Sequence, residues 1–380
     1  MSETIEPFAL SIPEGVLTDL RDRLARTRWP ERETVNDWSQ GAPIERVRAL
    51  CDHWATRYDW RRCEAKLNAL GQFRTTIDGL GIHFLHVRSS EPGARPLLLT
   101  HGWPGSVIEF LKVIGPLSDP VAHGGKAEDA FHLVIPSLPG YGFSDKPTTT
   151  GWGVERIAAA WIELMRRLGY TDYLAQGGDW GAAVTTALAM AKPAGLRGIH
   201  LNMPIVFPEA GDFADLTEAE QATVASMQYY DQQDSGYAKL QGTRPQTVGY
   251  ALTDSPAGQA AWIYEKFHAW TDNDGTPESA LGVDEMLDNI MLYWLPANAA
   301  SSGRLYWESA GAFKAQRLDV PVGVTIFPRE LFRPSRRWAE RSYPQLIHWN
   351  EREKGGHFAA FEQPVAFVEE VRACFGKLPT

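Results

Sequence analysis

The sequence predicts an α/β fold in which a mostly parallel sheet is flanked by helices on both faces. Short, continuously apolar strands occur at 96–100 (PLLLT), 131–136 (FHLVIP) and 173–176 (YLAQ), as expected for strands that are buried on both faces. The segment 153–169, between the last two strands, repeats its apolar residues at three- and four-residue spacing, which is typical of an amphipathic helix. Alternation of such strands and helices indicates a mostly parallel sheet.

The segment that precedes this pattern, residues 1–71, is predicted to form a helical leader domain. Val16, Leu20 and Leu24 have the spacing of one helix face, and charged residues occupy the other face. An Asp–Gly turn at 78–79 then joins two alternating strands into a β hairpin. We assign no chemistry to the leader and expect it to pack against the main body.

A helical cap is predicted to interrupt the sheet. The first part of the core covers residues 72–205, and the second part covers residues 308–380, where strand patterns return at 320–328 and 345–351. Between the two parts, residues 206–307 have a helical pattern and contain seven of the twelve tyrosines. We expect a helical insertion at this place to cover an active site.

Composition and charge exclude several classes of function. The net charge is −10 and no basic stripe is present, so neither a nucleic acid nor an acidic membrane is an expected partner. The three cysteines, Cys51, Cys63 and Cys374, lack the spacing of a disulfide framework or a zinc site. The sequence shows no signal peptide and no apolar run of about 20 residues, which predicts a soluble, cytoplasmic protein. No motif implies a metal or an organic cofactor.

The strongest functional motif is YLAQGGDWGAAV, in which an apolar strand leads through Gly177, Asp179 and Gly181 into a helix of small residues. A turn of the form G-x-nucleophile-x-G pushes its central side chain out above the sheet. Glycines flank the nucleophile because strand and helix nearly touch there. The alternative is a glycine-rich turn with Asp179 as a helix N-cap, but the flanking strand and helix favour Asp179 as the nucleophile.

A second motif, LLLTHGWPGS, places a loop directly after a buried strand. Where a fold has a nucleophile elbow, this loop donates one backbone N–H to the oxyanion hole and the residue after the nucleophile donates the other. The motif therefore assigns the backbone amides of Trp103 and Trp180 to the oxyanion hole. His101, at the start of the loop, is predicted to be structural.

The base and the acid are assigned from their positions, since the chain order in the α/β-hydrolase fold is nucleophile, acid, histidine. His357 lies in the loop after the last predicted strand, behind a Gly–Gly pair, and no other of the ten histidines has this position. Glu330 lies in the loop after the preceding strand and is predicted to be the acid. Asp319 precedes that strand and would lie at the wrong end of the sheet. The loop after the strand at 196–201 offers only Asn202.

An aspartate nucleophile decides the class of reaction. A carboxylate that attacks a saturated carbon becomes alkylated, and water deprotonated by His357 then hydrolyses the resulting ester. The substrate must carry a leaving group on saturated carbon, as epoxides and alkyl halides do. An epoxide oxygen needs a proton donor, which phenols can supply, whereas a halide needs indole or amide donors. The tyrosine-rich cap, which includes Tyr237 and Tyr306, favours an epoxide, but the indole of Trp180 could serve a halide.

Over nearly its whole length the sequence resembles the microsomal-type epoxide hydrolases. The segments that follow that family's order are PFALSIPEGVLTDLRDRLARTRWP, HGWPGSVIEF, IPSLPGYGFSDKP, GGDWG, GYAKLQGTRPQTVGYALTDSP, AAWIYEKF, FPREL and GGHFAAFEQP. The resemblance implies Asp179 as nucleophile, His357 as base and Glu330 as the acid that orients it. It also implies that Tyr237 and Tyr306 donate protons in ring opening, which the composition of the cap alone could not select. Membrane-bound relatives begin with an apolar anchor that this sequence lacks.

The sequence thus predicts an epoxide hydrolase that converts an epoxide and water to a vicinal diol through a covalent ester on Asp179. A haloalkane dehalogenase with the same nucleophile is the alternative. The expected partners are water and a small apolar or aromatic epoxide, and a homodimer is left open. Arg329, next to the predicted acid, is a candidate ion-pair partner for it.

Overall fold

The sheet of this protein has nine strands in the computed structural model, which describes residues 3–379. The strands are β1 (Glu6–Pro7), β2 (Gln72–Ile77), β3 (Leu80–Val87), β4 (Arg95–Thr100), β5 (Phe131–Pro136), β6 (Tyr173–Gly177), β7 (Leu196–Leu201), β8 (Val322–Ile326) and β9 (Leu346–Glu351). Their order across the sheet is β1-β2-β3-β5-β4-β6-β7-β8-β9. Pairs among β1, β2, β3 and β5 are antiparallel, and every pair from β5 to β9 is parallel. The predicted mostly parallel sheet is confirmed.

Helices flank the sheet and fill the long interval between β7 and β8. Those before β7 are α1 (Glu14–Ala25), α2 (Ile44–Thr56), α3 (Trp60–Asn68), α4 (Leu111–Ser118), α5 (Val154–Arg167) and α6 (Trp180–Ala191). Those between β7 and β8 are α7 (Glu218–Tyr229), α8 (Gly236–Thr243), α9 (Pro245–Asp254), α10 (Pro256–Trp270), α11 (Val283–Trp294) and α12 (Ala299–Glu308). Those after β8 are α13 (Arg336–Ser342), α14 (Ala359–Glu362) and α15 (Pro364–Phe375). We call α7–α12 the cap helices.

The sheet edge formed by the carboxyl ends of the parallel strands positions the site. Every residue of β6 and of β8 is buried, because helices cover both faces of a parallel sheet. Side chains that follow β4, β6, β8 and β9 therefore leave the sheet at one common edge, where ligands bind in open α/β sheets. The four loops at this edge are the ones that carry the residues assigned from the motifs.

The leader packs on the same hydrophobic core and also contacts the cap helices. Helix α1 buries Leu17, Leu20 and Leu24, whereas Val16 is exposed. The Tyr58 hydroxyl donates a hydrogen bond of 2.7 Å to Asp288 Oδ1 in α11. These contacts tie the helices at the start of the chain to the segment that covers the site.

The β hairpin has the predicted Asp–Gly turn. Strands β2 and β3 pair antiparallel with Ile77 opposite Leu80. Both turn residues have positive φ, 51° at Asp78 and 81° at Gly79, which matches the backbone that a two-residue hairpin turn requires.

Among residues 3–379, no helix combines the length and the apolar character needed to cross a membrane.

Candidate active site

Asp179 occupies a strained turn between β6 and α6. Its backbone has φ 51° and ψ −131°, a conformation that a non-glycine residue rarely adopts and that is typical of functional positions. A Cβ atom on Gly177 would collide with the backbone of Gly181, and one on Gly181 would collide with the carbonyl of Thr100. The close approach of strand and helix therefore requires both glycines, and it holds the carboxylate of Asp179 above the sheet edge.

Three predicted residues from three different loops meet in a chain of hydrogen bonds. His357 Nε2 lies 3.2 Å from Asp179 Oδ2, and His357 Nδ1 lies 2.6 Å from Glu330 Oε1. The same Glu330 oxygen accepts the backbone N–H of Leu331 at 2.7 Å. The side chains of Glu330 and His357 are almost fully buried, and 13% of the Asp179 side chain is exposed. The three predicted residues thus have the relative geometry that a catalytic triad requires.

The electrostatics of the triad favour a protonated His357 before any reaction. Burial opposes the charge on the imidazole, but the carboxylates of Glu330 and Asp179 outweigh it and raise the pKa of His357 well above the usual histidine value. The two carboxylates thus stabilise the imidazolium form of His357. Loss of the charge on Asp179 would weaken proton binding by His357.

The backbone amide of Trp103, which was assigned to the oxyanion hole, contacts Asp179 directly. Its backbone N–H donates a hydrogen bond of 2.7 Å to Asp179 Oδ1. The loop comes this close because residue 102 is glycine, since a Cβ on Gly102 would collide with the Asp179 side chain. Trp180 is the first residue of α6, so its N–H is among those at the helix start that have no partner within the helix.

The two predicted tyrosines, Tyr237 in α8 and Tyr306 in α12, line the same cavity as Asp179. The indole of Trp103 stacks on the Tyr237 ring, with centroids 4.8 Å apart, and meets the Tyr306 ring edge-on at 6.0 Å. Burial is the main reason that the pKa values of both phenols lie well above the usual tyrosine value. Both hydroxyls therefore remain protonated and able to donate.

A cavity of about 260 Å³ joins these phenols to Asp179. Its apolar walls include Met203, Phe313, Leu331 and Phe332. The Tyr306 hydroxyl is buried and makes no hydrogen bond of normal geometry within residues 3–379, although the Trp180 ring meets the Tyr306 ring edge-on at 4.8 Å. The cavity thus has the apolar walls and few polar groups of a site for a small organic molecule.

Sequence reasoning missed two residues that contact Tyr237. The hydroxyls of Tyr230 and Tyr237 lie 3.0 Å apart. The ammonium of Lys266 lies 4.6 Å from the centre of the Tyr237 ring and 2.7 Å from Asp234 Oδ1. A lysine in the helical segment AAWIYEKF has no sequence signal for burial, yet Lys266 is only 4% exposed. Its ammonium thus makes a cation–π contact with the Tyr237 ring.

The residues that were set aside have structural roles. His101 is buried, its Nε2 accepts the backbone N–H of Leu138 at 3.2 Å, and burial lowers its pKa to about 4. Asn202 accepts a hydrogen bond of 2.8 Å from Gln176. The guanidinium of Arg329 approaches Asp272, with Nε 3.7 Å from Oδ1. Arg329 thus pairs with a residue after α10 and not with the predicted acid.

Fold and site together define an α/β-hydrolase, because an aspartate in a tight elbow turn, a glutamate and a histidine follow β6, β8 and β9 in that order. A family model described as alpha/beta hydrolase fold matches residues 95–246. A second family model, described as Epoxide hydrolase N terminus, matches residues 5–110 and covers the leader.

Relatives and solved structures narrow the class further. The chain is 65% identical over 375 residues to a protein of Stigmatella aurantiaca that is provisionally named an epoxide hydrolase, covering 98% of this chain and 85% of that protein. It is 36% identical over 400 residues to Epoxide hydrolase 1 of Oryctolagus cuniculus, covering 97% and 88%. The crystal structure of juvenile hormone epoxide hydrolase from Bombyx mori superposes with a TM-score of 0.91 at 33% identity, covering 98% and 94%. The chain therefore belongs to the epoxide hydrolase family, in its microsomal-type branch, and is a hydrolase.

Proposed function

We propose that this enzyme converts an epoxide to a vicinal diol in two steps, through an ester between the substrate and Asp179. The observation that supports the proposal most directly is the set of groups that surround the carboxylate of Asp179. One oxygen of Asp179 accepts the N–H of Trp103, the other lies 3.2 Å from His357, and the group borders a cavity that also contains two buried phenols. A nucleophile and two acids thus line one cavity, and the base contacts the nucleophile from outside that cavity.

In the first step, an oxygen of Asp179 attacks an epoxide carbon from the floor of the cavity. The bond between that carbon and the ring oxygen breaks, and the ring oxygen takes a proton from Tyr237 or Tyr306. Strain in the ring supplies part of the driving force, and a positioned acid adds about 10²- to 10⁴-fold in rate. The product of this step is an ester of Asp179 that carries a neutral hydroxyl.

In the second step, water attacks the carboxyl carbon of the ester. Because the ester no longer carries the charge of Asp179, His357 binds its proton less tightly and becomes able to act as a base. The proton that His357 releases restores the tyrosinate left by ring opening, and the neutral imidazole then takes one proton of the attacking water. The N–H groups of Trp103 and Trp180 hold the oxyanion. As the oxyanion collapses, the diol oxygen takes up the second proton of that water, which frees the diol and restores the carboxylate.

The walls of the cavity favour a small apolar or aromatic epoxide. Burial of such a substrate against Met203, Phe313 and Phe332 removes apolar surface from water. An alkyl halide is less well supported, because the relatives reported above are named for epoxide hydrolysis. The two phenols also suit an oxygen leaving group, which gains a proton, better than a halide, which leaves as an anion.

A single turnover in ¹⁸O-water, with enzyme in excess over styrene oxide, tests the covalent step. If Asp179 attacks carbon, the oxygen gained by the diol comes from the carboxylate, so the first diol is mostly unlabelled and the Asp179 peptide gains the label. Later turnovers then release labelled diol. Labelled diol in the first turnover would mean that water attacks the epoxide directly, and the proposal would be wrong.

A His357→Gln variant tests the division of labour between the two steps. It keeps the nucleophile and the tyrosines but lacks the base, so it should form the ester and stop there. Intact-protein mass spectrometry should show the protein heavier by one whole substrate, with the adduct on the peptide that contains Asp179. A protein that stays unmodified under saturating epoxide would contradict the assignment of His357 to hydrolysis.

A further inference from the structure

A second, much smaller cavity borders Asp179 and His357 and has no tyrosine in its walls. Its volume is about 20 Å³, which is enough for one water molecule. Asp179 is the one residue that it shares with the substrate cavity among those that line either space. His357 therefore lines a separate compartment that is large enough for one water molecule.

The walls of this compartment contain polar atoms that have no protein partner. Thr100 Oγ1 and Gln176 Oε1 belong to residues that are 1% exposed, and neither atom makes a hydrogen bond within the described part of the chain. Buried polar atoms are nearly always paired with protein or with ordered water. The two orphaned atoms thus indicate that water occupies the compartment.

Glu109 is the carboxyl group in this compartment that the triad does not use. It lies in the short 3₁₀ helix Val107–Phe110, directly after the oxyanion loop. Its side chain fits against Gly105, where a Cβ would collide with Glu109 Oε1, and it accepts the backbone N–H of Ser106. Burial, partly offset by His357, raises the pKa of Glu109 to about 8. Burial thus favours the uncharged carboxyl, which can both accept and donate a hydrogen bond.

We propose that this compartment holds the water that hydrolyses the Asp179 ester, and that Glu109 is a positioning residue for that water. The inference rests on the covalent mechanism proposed above. His357 Nε2 takes one proton of the water, while an oxygen of Glu109 accepts a hydrogen bond from the other O–H group. The oxygen lone pair is then directed at the carboxyl carbon, the new C–O bond forms, and the bond to the diol oxygen breaks. The diol oxygen takes up the second proton of the attacking water, so Asp179 returns as a carboxylate and His357 as an imidazolium. Glu109 itself gains and loses no proton.

The test compares Glu109→Met, which removes the polar group at similar volume, with Glu109→Gln, which keeps a hydrogen-bond acceptor. Enzyme and styrene oxide are mixed rapidly and quenched, the esterified fraction is measured by intact-protein mass spectrometry, and the diol is quantified. Glu109→Met should form the ester within about twofold of the wild-type rate but hydrolyse it about 10- to 100-fold more slowly, because the water loses its orientation. Glu109→Gln should restore hydrolysis to within about threefold of wild type.

Two outcomes would overturn the proposal: ester hydrolysis in Glu109→Met at the wild-type rate, or equal slowing in Glu109→Met and Glu109→Gln. If Glu109→Met does not fold, Thr100→Val decides instead, since it removes one orphaned atom from the same compartment at nearly constant volume. It should slow hydrolysis by about three- to tenfold without affecting ester formation, and unchanged hydrolysis would count against a water site. If the wild-type enzyme forms no ester, the covalent mechanism is wrong. That outcome differs from those that overturn the water site, in which the ester forms but its hydrolysis does not depend on Glu109 or Thr100.

Discussion

Asp179→Asn should weaken proton binding by His357 nearly 100-fold, because it removes one of the two carboxylates that enclose the imidazole. His357 Nε2 lies 3.2 Å from Asp179 Oδ2. At this separation two unit charges attract by about 5 kcal/mol at an effective dielectric constant of about 20. If relaxation and solvent cancel half of that energy, about 2.5 kcal/mol remains, which is nearly a factor of 100 in proton affinity. The substitution mimics the loss of charge that ester formation would cause.

The measurement is an NMR titration of the protein labelled with ¹³C at histidine Cε1. The signal of His357 is identified by its absence from a His357→Gln spectrum, and mass spectrometry checks that the introduced amide persists. The wild-type signal should stay that of an imidazolium far above the usual histidine range, whereas the Asp179→Asn signal should titrate at clearly lower pH. Asp319→Asn, at an exposed carboxylate paired with Lys192, is the control and should leave His357 unchanged. Equal titration in Asp179→Asn and wild type would refute the charge argument.

Three further predictions concern the phenols, the acid and the attachment of the leader. Tyr237→Phe and Tyr306→Phe should each slow ester formation by about 100-fold or more, and rapid-quench kinetics should show a larger loss in the double variant. Glu330→Gln should slow ester hydrolysis less than removal of the base does, because only orientation and charge support are lost. Asp288→Ala should lower the free energy of unfolding in urea by about 2–3 kcal/mol, since it leaves a tyrosine and an arginine of the leader without their acceptor. Asp254→Ala removes an exposed pair between the same two regions and should cost less than about 1 kcal/mol.

The central strands β4, β5 and β6 could be predicted from the sequence because each is an apolar run with the length and composition of a buried strand. The leader helix shows where such reasoning is less accurate. Val16, Leu20 and Leu24 follow a strict four-residue spacing, which drifts around the helix by about 40° at each step. Leu17, Leu20 and Leu24 alternate spacings of three and four and stay on one face. The structure buries this second set and exposes Val16, because the core contacts a straight stripe along the helix.

The triad could be located because each member follows a strand in a fold whose strand ends share one edge. The tyrosines of the cap could not be selected in this way, since no local pattern separates those that reach the site from those that do not. Tyr229 and Tyr250 are 65% and 72% exposed, whereas Tyr237 and Tyr306 are buried. Their burial depends on how α8 and α12 pack against the Trp103 loop, which is distant in the chain. Only resemblance to a family identified the pair.

The cap helices also hold His357, the base of the proposed reaction, in position. The backbone N–H of His357 donates to the carbonyl of Trp270, at the end of α10, at 2.9 Å. Asp272 accepts the N–H of Gly355 at 3.0 Å and donates its own N–H to Glu362 at 2.9 Å. A displacement of α10 would break these hydrogen bonds and move the imidazole away from Asp179. Because the cap helices also carry the phenols, the same segment would position both the acid and the base of the proposed reaction.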